Sequence, residues 1–126
     1  MSKTGDGDLS FNYFPDNYRW SHGVMIALNN APWGGAEIGE VHRIGLSLRN
    51  ERSDASWFAA WSDGAAKVES KGRELLSQGH DKSAAAYLLR AANYYHVGER
   101  FAQPKTAETN AAYARGVQCF KKGLVA

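Results

Sequence analysis

The segment from about residue 54 to residue 78 carries the pattern that most restricts the fold. Large apolar residues and glycines recur there every three or four positions: Trp57, Trp61, Gly64, Val68, Gly72 and Leu75. This spacing places them on one face of an α-helix, where they form a continuous stripe. Ser53 or Asp54 can cap the start of the helix, and Gly79 suits its end. The pattern therefore predicts a long helix that is buried along one side.

The rest of the chain contains further helical patterns and no strand pattern of useful length. A short helix is predicted over about 21–29, after an irregular aromatic stretch. Further helices are predicted over about 36–50, 82–102 and 106–123, with Asp81 as the N-cap of the second of these and Pro104 as its stop. The last helix places four large residues on one face, namely Tyr113, Val117, Phe120 and Leu124. Short connections between the last three helices predict antiparallel neighbours.

These patterns together predict an all-α fold. We expect an antiparallel helical bundle of four to five helices with an irregular aromatic N-terminal lead. Residues 1–10 are rich in Gly, Asp and Ser and are expected to be a flexible lead, while residues 11–126 are expected to form a single helical domain. The helical units differ in length and lack a fixed period, which argues against a tetratricopeptide array.

The predicted helix over 82–102 has an unusually narrow polar side. Alanines, leucines and tyrosines cover most of its surface and leave only the strip Arg90, Asn93, Val97 and Arg100. This helix is therefore expected to be central and packed on two or more sides. Its tyrosines fit core packing with each hydroxyl bonded at the edge. Alternatively, part of the helix borders a ligand cavity, and Arg90, Asn93 and Tyr94 are then the substrate-lining residues.

Composition excludes several classes of function. The 126 residues are 44% hydrophobic and 22% charged, with a net charge of +2, which is too little charge to argue for nucleic acid or an anionic membrane surface. The single cysteine, Cys119, rules out an internal disulfide and suits a reducing cytoplasm. The polar N-terminus lacks the apolar core of a signal peptide. We therefore expect a cytoplasmic protein with no nucleic-acid partner and no membrane partner.

Motifs that would indicate catalysis are missing from the sequence. The string Gly45–Arg49 lacks the second glycine of a nucleophile elbow and lies inside a predicted helix. The four histidines have no metal-ligand spacing, and no phosphate-binding Gly-x-x-x-x-Gly-Lys loop occurs. We therefore assign no catalytic residue, no metal ligand and no cofactor to this chain.

Several strings resemble the N-terminal helical part of one group of α/β-hydrolases. They are GAEIGEV at 35–41, SWFAAWSDGAAKVE at 56–69 and AAYLLRAANYYHVGERF at 85–101, and the most specific pieces are RAANYY and the later YARGVQCF at 113–120. The group includes 2,6-dihydroxypseudooxynicotine hydrolase and fungal pigment hydrolases that shorten a polyketide chain. The resemblance covers roughly residues 11–123.

The resemblance implies a helical cap that precedes a catalytic α/β domain and contributes to a homodimer. That second domain would supply the catalytic serine, aspartate and histidine, for hydrolysis of a carbon–carbon bond beside a carbonyl, or of an ester, without a cofactor. This chain stops at Ala126, where that domain would begin. We therefore expect a substrate-capping and dimerisation domain that is inactive alone. Its partner would be a catalytic α/β-hydrolase domain, either in a longer parent chain or in a separate one.

Two other interpretations stay open. The chain can be a stand-alone helical protein-interaction module that binds a peptide in a groove between helices, or a small-molecule binder without chemistry. The capping interpretation predicts an unusually apolar surface around Trp20, Trp33 or the Arg90–Asn93–Val97 strip. The interaction module predicts a polar surface apart from one groove.

Overall fold

The computed structural model describes residues 12–126, and every regular element in that range is helical. The five α-helices are α1 (Tyr18–Leu28), α2 (Ile38–Ser47), α3 (Asp54–Ser77), α4 (Asp81–Glu99) and α5 (Ala107–Val125), and a short 3-10 helix, Ala31–Trp33, lies between α1 and α2. The predicted all-α bundle is confirmed. The predicted flexible lead, residues 1–10, lies outside the described residues.

Helices α3 and α4 form an antiparallel pair around which the other helices pack. Near one end of the pair, the indole N–H of Trp57 donates to the Val97 carbonyl at 3.0 Å. Near the other end, Gly72 lies so close to Leu88 that an added Cβ would meet the leucine side chain at 3.0 Å. Helix α5 then packs on the other side of α4. Helix α4 therefore lies between α3 and α5, and the prediction that the helix over about 82–102 is central is confirmed.

Local signals explain where the long helices begin and end. The Ser53 hydroxyl caps α3 by accepting from the Ser56 backbone N–H at 3.1 Å, as predicted. Gly79 follows α3 with a φ of 82°, a left-handed conformation that favours glycine. The predicted N-cap of α4 is wrong by one residue, because His80 occupies the cap position without a side-chain bond and Asp81 is the first helical residue.

A row of aromatic rings connects the N-terminal segment to the core. Phe14 lies edge-on to Trp20 with 5.2 Å between ring centroids, and Trp20 lies 5.2 Å from Trp57. The row continues through Trp61 to Tyr94, with centroid separations of 5.4 and 5.8 Å. The expectation of an apolar surface at Trp20 is wrong, because this side chain is fully buried in the aromatic row.

Helix α1 and the strip on α4 also differ from the prediction. Helix α1 begins at Tyr18, not near residue 21, because the Asn17 side chain accepts from the Trp20 backbone N–H at 3.1 Å and starts the helix there. The strip predicted on α4 includes Val97, but this side chain is 1% exposed because α3 covers it.

Helix α5 buries its small residues and leaves its large ones exposed. The buried face facing α4 consists of Ala112, Gly116, Cys119 and Gly123 together with Thr109. An added Cβ at Gly123 would lie 2.8 Å from the Leu89 side chain, so the two helices approach closely there. We call this close contact between the small residues of α5 and α4 the seam. The face of α5 that carries Tyr113, Val117, Phe120 and Leu124 lies beside the seam.

Candidate functional site

An apolar groove of about 750 Å³ runs between α4, α5 and the segment 30–35. Its large apolar lining residues are Trp33, Leu89, Tyr113, Val117, Phe120 and Leu124. The volume falls within the range of about 300–1,000 Å³ that is typical of small-molecule sites. We call this feature the groove.

The apolar walls of the groove are uncovered. Trp33 is 81% exposed, and Tyr113, Phe120 and Leu124 are 51%, 50% and 62% exposed. A contiguous apolar surface of this kind on a protein marks a ligand site or an interface with another surface. The exposed aromatic surface predicted at Trp33 is present, and α5 supplies most of the rest.

Polar groups are few within the groove. Asn30, Asn93, His96 and Lys121 are the polar side chains among the described residues that line it. His96 is exposed on α4, with its Nδ1 3.7 Å from a Glu99 carboxylate oxygen. A mostly apolar lining with a few convergent polar groups is the usual composition of a ligand pocket.

Two of the three predicted substrate-lining residues are held by other side chains of the same domain. Arg90 pairs with both oxygens of the Glu40 carboxylate at 2.8 and 2.9 Å, and the Tyr94 hydroxyl donates to the same carboxylate at 2.7 Å. Tyr94 is fully buried and also accepts from the Glu37 backbone N–H at 2.9 Å. Burial and the hydrogen bond to Glu40 raise the pKa of Tyr94 above its ordinary value. These contacts tie α2 to α4, and a substrate role for the two residues stays a prediction.

Asn93 is the predicted residue that lines the groove. Its side-chain amide donates to the Gly35 carbonyl at 2.8 Å, which fixes the segment after the 3-10 helix against α4. Its carbonyl oxygen lies 3.5 Å from the Asn30 amide. Asn93 thus positions the Trp33 wall of the groove, and contact with a ligand stays a prediction.

A buried carboxylate supports the groove from behind. Glu69 on α3 accepts from the Tyr95 hydroxyl of α4 at 2.7 Å and from Arg115 of α5 at 3.0 Å, and Arg73 donates to it at 2.6 Å. Burial raises the pKa of Glu69, but these three hydrogen bonds outweigh burial and hold its pKa below the usual value. Because the three helices share one carboxylate, their spacing is fixed next to the groove. Spacing along the chain does not reveal this cluster, since its members lie on three separate helices.

No serine hydroxyl of the described residues bonds to a histidine, as it would in a catalytic triad. The serine hydroxyls with visible partners bond to backbone carbonyls, to each other or to Glu51. The Cys119 thiol is buried beside Glu69, and burial together with this carboxylate raises its pKa to about 11. Within residues 12–126, no three His, Cys, Asp or Glu side chains are grouped to hold a metal ion. The size and the apolar lining of the groove are those of a binding site.

Comparisons with characterised proteins point to one class of enzyme. The chain is 31% identical over 100 residues to 20-hydroxy-prefusarin hydrolase FUS2 of Gibberella moniliformis. It is 41% identical over 68 residues to hydrolyase poxO of Penicillium oxalicum, and 24% identical over 109 residues to α/β-hydrolase xenA of Xenoacremonium sinensis. Its sequence relatives are fungal α/β-hydrolases. The comparisons therefore confirm the predicted resemblance to the α/β-hydrolase family. They do not identify this segment as a cap region.

The α/β-hydrolase relatives are several times longer than the matched segment. The alignments cover 78%, 54% and 86% of this chain but 24%, 16% and 25% of the three relatives. The chain therefore spans about a quarter or less of the hydrolases it matches. No family model matches the chain, and no solved structure matches it significantly. Within residues 12–126, no helix combines the length and the apolar character needed to cross a membrane.

Proposed function

We propose that this chain is the substrate-capping domain of an α/β-hydrolase and forms one wall of its substrate site. The observation that carries the proposal is an uncovered apolar groove of ligand size on a chain related to hydrolases. The catalytic α/β domain would cover the groove and supply the serine, histidine and acid. The reaction would be hydrolysis of an ester or of a carbon–carbon bond beside a carbonyl.

The proposal explains why the large residues of α5 face outward. Burying an apolar side chain such as Phe120 is worth ~1.5–3 kcal/mol, and the domain leaves Tyr113, Phe120 and Leu124 half exposed or more. A second surface that closes over them would recover this free energy and exclude water from the substrate. Water exclusion strengthens the electrostatic interactions that stabilise an oxyanion.

The reading frame of the gene tests the link to a catalytic domain. We expect the frame to continue past the codon for Ala126 into a strand, a Gly-x-Ser-x-Gly turn and a helix. The purified 126-residue chain should give no turnover of ester or β-diketone substrates above buffer. A frame that ends at once, or turnover by the chain alone, would contradict the capping role.

A pair of neighbouring substitutions tests the role of the groove in that longer enzyme. Leu124→Asp places a charge in the groove and should lower kcat/KM by roughly tenfold or more. Val125→Asp is the matched control, because Val125 is also exposed on the last turn of α5 but does not line the groove. Equal losses in the two variants would indicate a general effect of charge at the end of the helix and would remove the groove from the substrate site.

The runner-up function is a stand-alone interaction module that binds a peptide helix in the groove. The groove lies between two helices and carries apolar residues at intervals of three and four along α5, which is the form of a helix-binding groove. This alternative predicts that the reading frame ends with this domain.

We also propose that the capping domain forms a homodimer. Light scattering should then give twice the chain mass of 13.8 kDa.

A further inference from the structure

The groove has one formally charged side chain among its described lining residues, and it is a cation. Lys121 lines the groove, and no ion pair joins it to a described carboxylate. The Glu99 carboxylate of α4, which borders the groove, pairs with Lys105 at 2.9 Å. An ammonium group beside an apolar surface attracts an anion more strongly than one surrounded by water, because the effective dielectric constant is lower.

The position of this cation divides the groove into a charged end and an apolar body. Leu89 packs against Gly123, whereas the His96 ring lies 6.3 Å from the Tyr113 ring, so α4 and α5 run antiparallel along the groove. Lys121 therefore lies toward the Leu89 end. From Tyr113 to Leu124 the groove wall spans roughly 16 Å at a rise of about 1.5 Å per residue, and about 12 Å of this lies between Tyr113 and Lys121. The groove therefore fits an extended chain of roughly nine to twelve carbons.

We propose that the groove binds an elongated apolar molecule with a terminal anionic group, and that Lys121 selects for the anion. This proposal names a substrate class for the site in which the groove forms one wall, and it therefore rests on the proposed function. The apolar body would lie along Val117 and Phe120, and the carboxylate or other anion would pair with the Lys121 ammonium. A lysine suits this role because its flexible apolar stem can lie along the wall while its charge reaches the ligand head.

Calorimetric titration of the 126-residue chain with dodecanoate, below its micelle concentration, tests the proposal. We expect saturable binding at one site per chain, and binding of dodecyltrimethylammonium, which has the same chain and the opposite charge, to be at least about tenfold weaker. Shortening the ligand to octanoate should also weaken binding, since less apolar surface is buried. Failure of dodecanoate to bind, binding at many sites, or equal binding of the two head groups would overturn the proposal.

Lys121 and its neighbour provide a matched pair of variants. Lys121→Glu and Lys122→Glu change the net charge equally, on the same turn of α5, but Lys122 does not line the groove. We expect Lys121→Glu to weaken dodecanoate binding by about tenfold or more and Lys122→Glu by less than about threefold. Both residues are exposed, so both variants should retain the wild-type circular dichroism spectrum. Equal weakening would mean that only the overall charge attracts the ligand, which would refute the role of Lys121.

The outcome of this titration is independent of the test of the capping role. Binding to the chain alone needs no catalytic domain, so a failed titration removes the anionic ligand class and leaves the capping domain in place. A reading frame that ends at Ala126 would remove the capping role, and the same titration would then decide whether the groove binds such ligands by itself.

Discussion

Replacing Glu69 with glutamine would measure how strongly one carboxylate holds α3, α4 and α5 together. The Glu69 side chain is 2% exposed and accepts hydrogen bonds from Tyr95, Arg73 and Arg115. Glutamine keeps an oxygen acceptor for the Tyr95 hydroxyl. It removes the negative charge that faces two guanidinium groups and points its own N–H donors toward one of them, where no acceptor is present.

The magnitude follows from the burial of each partner. The hydrogen bond from Tyr95 changes from a charged acceptor, worth ~1.5–3 kcal/mol, to a neutral one, worth about 1 kcal/mol, so the loss is about 1 kcal/mol. The arginine pairs add less, because the Arg73 and Arg115 side chains are 44% and 58% exposed and exposed pairs contribute ~0.2–1 kcal/mol each. We therefore expect Glu69→Gln to destabilise the fold by about 2 kcal/mol, which corresponds to a fall in Tm of roughly 8 °C for a domain of this size.

Thermal and urea unfolding followed by circular dichroism would provide the measurement. Glu74→Gln is the matched control, because Glu74 lies on the same helix but its side chain is 56% exposed and 3.7 Å from Lys71. The control should change the free energy of unfolding by less than ~0.5 kcal/mol. If the Tm of Glu69→Gln fell within about 2 °C of the control, the buried carboxylate would not anchor the three helices.

The loss of stability in Glu69→Gln relative to wild type should depend on pH. Because the pKa of Glu69 is held below its ordinary value of about 4.3, its stabilisation is complete above that pH and is lost as the pH falls through the lower pKa of the folded state. The difference in unfolding free energy between wild type and Glu69→Gln should therefore be constant from about pH 5 to about pH 7 and shrink below about pH 4. A difference that persisted undiminished to about pH 2 would contradict this assignment.

Further predictions concern the close helix packing and the buried thiol. Gly98→Ala would place a Cβ 2.7 Å from the Cβ of Trp61 and should lower the free energy of unfolding in urea by ~1–3 kcal/mol; an unchanged urea midpoint would contradict that packing. Cys119 is fully buried with its pKa raised to about 11, so Ellman's reagent at about pH 8 should label the native chain at least ~tenfold more slowly than the unfolded chain. Thr106→Ala removes the capping box of α5 and should cost about 1 kcal/mol in thermal unfolding, whereas a wild-type Tm would show that the cap contributes nothing.

The sequence predicted α3 well because its large residues and its buried face coincide. Trp57, Trp61 and Val68 step along one stripe, and the structure buries all three. The cap at Ser53 and the glycine at 79 are local signals, since each acts through the backbone of its own neighbours. Features that depend on a few consecutive residues are readable without knowledge of the tertiary contacts.

Helix α5 was harder to interpret because it has two candidate faces. One carries Tyr113 and Phe120, and the other carries small residues such as Gly116 and Gly123. Hydrophobicity favours the first face, but close packing favours the second, because a glycine lets the backbone of α4 approach. Only the presence of α4 shows that the small face is buried and that the large face forms a groove.

The predicted site residues illustrate a related limit of helical geometry. The positions of Arg90 and Tyr94 on α4 were readable from the chain, but their partner Glu40 lies fifty or more residues earlier. Spacing along a helix gives the direction of a side chain and gives no information about the element that it meets. Lys121 and the groove were missed for the same reason.

Because of the seam of small residues between α4 and α5, one set of residues fixes the packing of the two helices and another set shapes the groove. Gly116 and Gly123 set the distance between the helix axes through the backbone, while positions 113, 117, 120 and 124 determine the shape of the space in front of the seam. A combinatorial library confined to those four positions should therefore yield domains with altered ligand preference and near-parental melting behaviour. Related proteins can diversify in the same way, exchanging exposed side chains over an unchanged frame.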